Sequence, residues 1–321
     1  MDNENLWHLR NQIFKDLSHE DVLNCRRVCK YWNESLRRLS DVKFIQEFGE
    51  RVVEDTNEKL STIIPGWKNT AQKYGKQTSM EDLEEVKDSL KKLARGKGKY
   101  CYCPVYDAAR NGNVKLMEFI IRTSYDMNTK KLGNTRKTAW HLACFYGKTE
   151  AAQLIIQYSK DFGIELNARD DDGRTAFQVA CINGQTETAQ LIIQSSKEFG
   201  IDLNAKDNWQ RTAWHLASNC GRTKTAQLIM QNSKDFDIAL NDKDDEGNTA
   251  LHWACRLAKT ETVRIILKNW KEFGIDIKVQ NNKGETALDL INHRDGDEFN
   301  QIKKMLEKEY SKIDVTESVQ F

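Results

Sequence analysis

Histidine and cysteine stand three residues apart in two segments, His141 with Cys144 and His252 with Cys255. On a helix that spacing puts an imidazole and a thiol on one face, which a metal ion could use. Cys101 and Cys103 add a lone CxC pair without histidines nearby. The same two slots, however, carry Gln178 with Cys181 and His215 with Ser218 at regular intervals along the chain. A metal site is not tiled through a sequence with half its ligands replaced, so these residues read as scaffolding. No Walker loop, zincin helix or nucleophile elbow is present. The expectation is a chain without catalytic residues, cofactor or metal, whose chemistry is binding.

The composition narrows the partner. Of 321 residues, 49 are basic and 48 acidic, for a net charge of +1. Such balance gives no electrostatic reason to bind nucleic acid or an anionic membrane. Mean hydropathy is −0.71, no apolar run reaches the roughly 20 residues a membrane helix needs, and residues 1–10 do not read as a signal peptide. None of the eight cysteines forms a CxxC pair, and those in the repeated segments read as reduced thiols in small core slots. An intracellular protein is expected, in the cytoplasm. The basic run at residues 91–99 reads as a solvated helix end, with a nuclear signal as the alternative.

The elements that carry these residues recur. Thr138-Ala-Trp-His-Leu-Ala is followed by related phrases opening at Thr175, Thr212, Thr249 and Thr286, each 37 residues after the last. A fixed period of this length means stacked helical units. Thr138 can accept an unpaired N–H of the opening helical turn. Ala143, Ala180, Ala217 and Ala254 allow close helix approach, and Gly147, Gly184 and Gly221 end the first helix. A second helix follows, with Leu154-Ile155-Ile156 and its equivalents on the apolar face. Asp170 to Gly173 and Asp244 to Gly247 suit tight turns in the connecting loops.

Together the threonine phrase, the glycine, the apolar second helix and the Asp-x-x-Gly loop resemble ankyrin repeats. In all five copies alanine follows the threonine, where that family has proline. The period of 37 exceeds the family's value of about 33 and places Phe162, Phe199, Phe236 and Phe273 at one recurring slot. One helical turn is about 3.6 residues, so the insertion predicts a longer second helix with a phenylalanine packed between repeats. An earlier unit at Cys103-Pro104-Val105-Tyr106 brings the count to six. The fold expected is all-α: a solenoid of about six repeats over 101–310, with its last unit capping, followed by a disordered tail over 311–321.

The resemblance implies that the histidines bond to loop backbone, and that loop tips and exposed first-helix positions line a concave binding face. Matched residue by residue, that face holds Phe145, Tyr146, Asp171, Asp172, Arg174, Ile182, Asn208, Trp209, Arg211, Arg256 and Leu257. Large apolar residues in wet positions mark docking surfaces. Tyr146 and Trp209 are therefore the expected hot spots for a protein target. Trp209 either offers its ring to that target or folds back on its own hairpin.

Two modules precede the array. Residues 1–45 pattern as two or three short helices with more apolar surface than they can bury alone. Ile-Phe-x-x-Leu, then Leu, then Val-Cys-Lys-x-Trp resembles the F-box, although Asn5-Leu6 replaces the motif's opening Leu-Pro. The resemblance implies docking on a Skp-type adaptor of a cullin–RING ubiquitin ligase through Leu9, Ile13, Phe14, Leu17, Leu23, Val28, Cys29 and Trp32. The alternative is a helical cap for the segment that follows. Residues 46–100 pattern as charged amphipathic helices that would space the two modules.

Overall fold

The computed structural model describes residues 104–114, 117–118, 121, 127–128 and 136–318. The sequence-predicted modules at 1–45 and 46–100, with all eight candidate adaptor contacts and the CxC pair, lie outside the described residues. The chain divides into two compact units, 1–108 with 113–126, and 109–112 with 127–321; the second contains the five copies of the repeated phrase.

Each phrase opens a short helix because its threonine caps it. After α1 (Pro104–Asn111) come α2 (Ala139–Phe145), α4 (Ala176–Asn183), α6 (Ala213–Asn219) and α8 (Ala250–Arg256). Thr138, Thr175, Thr212 and Thr249 sit extended just before the last four and form reciprocal capping boxes. The reciprocal partner is His141, Gln178, His215 or His252 instead of the usual glutamate. The second helices are α3 (Thr149–Phe162), α5 (Thr186–Phe199), α7 (Thr223–Gln231) and α9 (Thr260–Phe273). Three of the four span 14 residues, as the insertion predicts. In the fourth repeat the helix stops at Gln231 and turns carry the chain to Asp237. Asp237, at φ 52°, holds the left-handed slot that Gly163, Gly200 and Gly274 fill elsewhere.

First helices stack on first helices and second on second, in register with the period. Trp140, Phe177, Trp214 and Leu251 fill one recurring core slot, and Ile155, Ile192, Ile229 and Ile266 another. Ala143, Ala180, Ala217 and Ala254 have no exposed surface, which permits the close helix approach expected of them. The inserted phenylalanines are half-buried. Each of three takes a lysine of the preceding repeat over its ring: Lys160 over Phe199 at 4.6 Å, Lys197 over Phe236 at 5.0 Å, and Lys234 over Phe273 at 5.4 Å. They join repeats as expected, but at the wet edge of the stack.

Polar ladders reinforce the apolar one. Asn128, Asn167, Asn204 and Asn241 each donate Nδ2–H to the carbonyl of the left-handed residue of the next repeat, Gly163, Gly200, Asp237 or Gly274, at 2.8 Å. Each also accepts, on Oδ1, a backbone N–H two residues further on, at 2.7–2.9 Å. Thr149, Thr186 and Thr223 meet Thr188, Thr225 and Thr262 through their hydroxyls at 2.9–3.0 Å.

The sixth unit differs. Asp289 replaces the histidine, accepting from Thr286 N–H and Oγ–H at 2.9 and 2.7 Å, and the first helix shrinks to one 3-10 turn, Asp289–Ile291. The last helix, α10, runs Asp297–Ser318, past the boundary at 310 expected from the sequence. It buries Ile302 and Leu306 completely. Trp270 stands where earlier repeats carry Ser159, Ser196 and Ser233, and its indole donates to Glu309 at 3.2 Å. Tyr310 donates to Ile277 O at 2.8 Å.

Candidate functional site

The histidine–cysteine pairs have structural partners. His141 Nδ1 accepts Thr138 N–H at 3.2 Å, while Nε2 faces Arg174 O of the next repeat at 3.0 Å. A carbonyl only accepts, so Nε2 carries the proton and the Nδ1 lone pair is already used. His215 and His252 repeat this with Asn248 O and Glu285 O, each at 3.1 Å. Gln178 does the same work with an amide: Oε1 accepts Thr175 N–H, and Nε2 donates to Ala205 O and Arg211 O at 2.8 Å. Cys144, Cys181 and Cys255 are buried free thiols, and burial pushes their pKa values up. A thiol held protonated is a poor nucleophile and a poor metal ligand. The loop-backbone role expected for the histidines is what they perform.

Binding geometry lies at the loop tips and the first-helix ends. Asp170 Oδ1 accepts N–H from Asp172 and Arg174 at 3.0 and 2.9 Å, and Asp207 and Asp244 repeat the arrangement one and two periods on. These buried aspartates set the hairpin shape, which is why tip side chains project. Adjacent tips are bonded to one another: Asn208 N–H to Asp172 O at 3.0 Å, Asp245 N–H to Trp209 O at 3.2 Å, Asn282 N–H to Glu246 O at 3.0 Å. Asn208 Nδ2–H also reaches Asp171 O at 3.0 Å. The tips thus form one continuous ridge.

Among the described residues the exposed large apolar side chains are Tyr146 at 38%, Trp209 at 42% and Leu257 at 42%. All three are candidates from the sequence, whereas Phe145 and Ile182 are half-buried. Phe145 meets Tyr146 edge-on at 4.9 Å, and cations lie over both rings: Lys137 over Phe145 at 4.9 Å and Arg110 over Tyr146 at 5.3 Å. Trp209 carries Arg211 at 4.7 Å and Arg174 at 5.8 Å. Of the two alternatives, then, the indole does some of each: it stacks with hairpin arginines and still offers much of its surface to solvent. The arginines are themselves engaged. Arg211 donates twice to Asp207 Oδ2, at 3.0 and 2.8 Å, and Arg174 pairs with Asp172 at 2.6 Å. Arg256 pairs with Glu246 at 3.3 Å and lies over Trp253, and Asp171 faces Arg136 at 3.6 Å.

The eleven candidates therefore fall into a ridge cluster (Asp171, Asp172, Arg174, Asn208, Trp209 and Arg211), a helix-end cluster (Phe145, Tyr146), Ile182 on the intervening helix, and Arg256 with Leu257. Tyr146 and Leu257 occupy the same slot three repeats apart, so they do not form one patch. Sequence reasoning missed Asp207, fully buried and the anchor of Arg211; its 37-residue spacing from Asp170 and Asp244 was the available signal.

Stacked two-helix units with projecting tips define a repeat solenoid of the protein-binding class. Family models agree and add the N-terminal part: ankyrin repeats (three copies) match residues 105–207, 160–242 and 199–281, and an F-box-like model matches residues 9–40. The chain belongs to the ankyrin-repeat family, and it carries an F-box-like domain at its N-terminus. Both are interaction modules. Comparison with curated proteins finds no match. Among the described residues no helix is long and apolar enough to cross a membrane.

Proposed function

We propose that this chain is the substrate-receptor subunit of a cullin–RING ubiquitin ligase. The F-box-like segment would dock on a Skp-type adaptor, and the ankyrin array would hold a protein target. The observation that carries this reading is the F-box-like match at residues 9–40 on the same chain as the array. F-box domains generally bind Skp-type adaptors, and the eight contacts expected from the sequence all fall within that match. The chain itself makes and breaks no bonds. Its mechanism is proximity: holding the target beside the ligase raises the effective concentration of target lysines near the charged conjugate. For this work we assign it to the cytoplasm, with the nucleus as the alternative.

On the target side we assign the tip ridge and the first-helix ends, with Tyr146 and Trp209 as hot spots. Their exposure beside polar, paired neighbours supports this, since hot spots are solvent-facing aromatics ringed by polar groups that exclude water once bound. Co-expression with a Skp-type adaptor tests the ligase side. The wild type should co-purify with the adaptor, and Leu17→Asp or Trp32→Ala should abolish the complex. A wild-type chain that leaves the adaptor behind would favour the other reading, an ankyrin scaffold whose N-terminal helices only cap the array.

A further inference from the structure

The ridge around Trp209 has a sign. Tip residues 170–174, 207–211 and 244–248 contain seven carboxylates and two guanidiniums. Backbone bonds fix their order: Asn208, beside Trp209, is tied to Asp172 on one side, and Trp209 itself to Asp245 on the other. The exposed indole is therefore flanked by an acidic pair at Asp171 and Asp172 and by a second at Asp245 and Glu246. Arg174 and Arg211 cannot offer their charge to an acidic ligand. Each already faces a carboxylate in its own hairpin and lies over the Trp209 ring. Arg174 Nε is buried there without a hydrogen-bond partner. Arg136 and Arg256 reach in from neighbouring segments, but only through exposed pairs at 3.6 and 3.3 Å. Exposed pairs of this kind are worth little and can be exchanged for a ligand's own cation. Asp245 is exposed and has no ion-pair partner among the described residues.

We infer that the Trp209 ridge binds a basic, extended segment of the target, in which an aliphatic side chain packs on the indole and flanking lysines or arginines meet Asp171, Asp245 and Glu246. The inference rests on the array being the target-binding part of the chain. It goes beyond that by fixing the charge of the segment and the tips that read it. An acidic segment would set its carboxylates against those of the ridge, and like charges in apposition disfavour a complex.

Three fluorescein-labelled peptides of about fifteen residues serve as probes, alternating leucine with lysine, with glutamate or with serine. Fluorescence anisotropy against the full-length chain should show the lysine peptide binding about tenfold or more tighter than the other two, with affinity falling as salt rises from about 0.05 to about 0.5 M. Trp209→Ala should weaken it about tenfold. Asp245→Asn keeps the backbone N–H bonded to Trp209 O, and together with Asp171→Asn it should weaken binding about threefold to tenfold without lowering the melting temperature. The glutamate peptide binding as well or better, the lysine peptide failing to bind, or affinity indifferent to all three substitutions would each overturn the inference. Adaptor co-purification, measured on the same preparations, reports separately on the ligase reading, because none of the substitutions touches residues 9–40.

Discussion

Within a repeat, single residues show where the template is obligatory and where it bends. Gly184 and Gly221 lie in the left-handed region, and a Cβ there would come within 2.9 Å of Arg222 and 2.8 Å of Lys259. Ala258 occupies the same slot at φ 51°, a left-handed conformation that a side chain adopts only at a cost. Ser218 is the clearer departure: it replaces a core cysteine, and its hydroxyl is buried without a partner. Ser218→Cys or Ser218→Ala should stabilise the chain by about 1 kcal/mol in urea unfolding, since an unpaired buried hydroxyl carries its full desolvation cost. Equal or lower stability would mean that the hydroxyl is satisfied.

The buried histidines set a pH dependence. Burial holds His215 and His252 below the ordinary imidazole pKa. Above about pH 6.5 both folded and unfolded chains are neutral at these sites and their stability is fully present. As pH falls through that value the unfolded chain takes up protons first, so stability is lost. His215→Gln copies the amide solution of Gln178. It should melt like wild type near pH 7.5 and lose less stability than wild type by about pH 5.5, read as the change in melting temperature between the two. Parallel pH profiles for the two proteins would assign the acid sensitivity to other groups.

Among elements, the second helices and their outer loops are joined by polar ladders that the residue pattern announces only faintly. Asn204 bonds Asp237 O and Ala239 N–H, holding together two repeats. Asn204→Ala should cost about 1–2 kcal/mol in chemical denaturation, because two inter-repeat hydrogen bonds are lost at a partly wet site. A loss below about 0.3 kcal/mol would mean that this asparagine ladder adds little to the coupling of repeats. The caps, the left-handed glycines and the Asp-x-x-Gly turns were legible in the sequence because each is settled within about five residues. The ladders and the Arg174–Trp209 contact were not, because they depend on which side chains face one another 33–39 residues apart. The inserted phenylalanine falls between: its period was visible, but its place at the stack's edge, under a lysine of the preceding repeat, is set by the register of neighbouring helices.

At the scale of the molecule, the array ends in a cap. Ile302, Leu306, the Trp270–Glu309 bond and the Tyr310–Ile277 bond seal the last apolar face. Burial holds the Tyr310 phenol up at about 12, so it stays a donor throughout the ordinary pH range. Deleting residues 297–321 should leave that face open. The expected result is a cooperative melt at lower temperature with concentration-dependent aggregation in light scattering, since terminal repeats keep solenoids soluble. An unchanged melt would make the final helix an appendage. The central claim is that one chain joins an adaptor at its N-terminus to a target on its ridge. Size-exclusion chromatography with light scattering on the chain mixed with a purified Skp-type adaptor and cullin tests it most directly. The expected result is a single peak with the mass of a 1:1:1 complex, lost with Leu17→Asp and kept with Trp209→Ala; a wild-type chain eluting alone would contradict it.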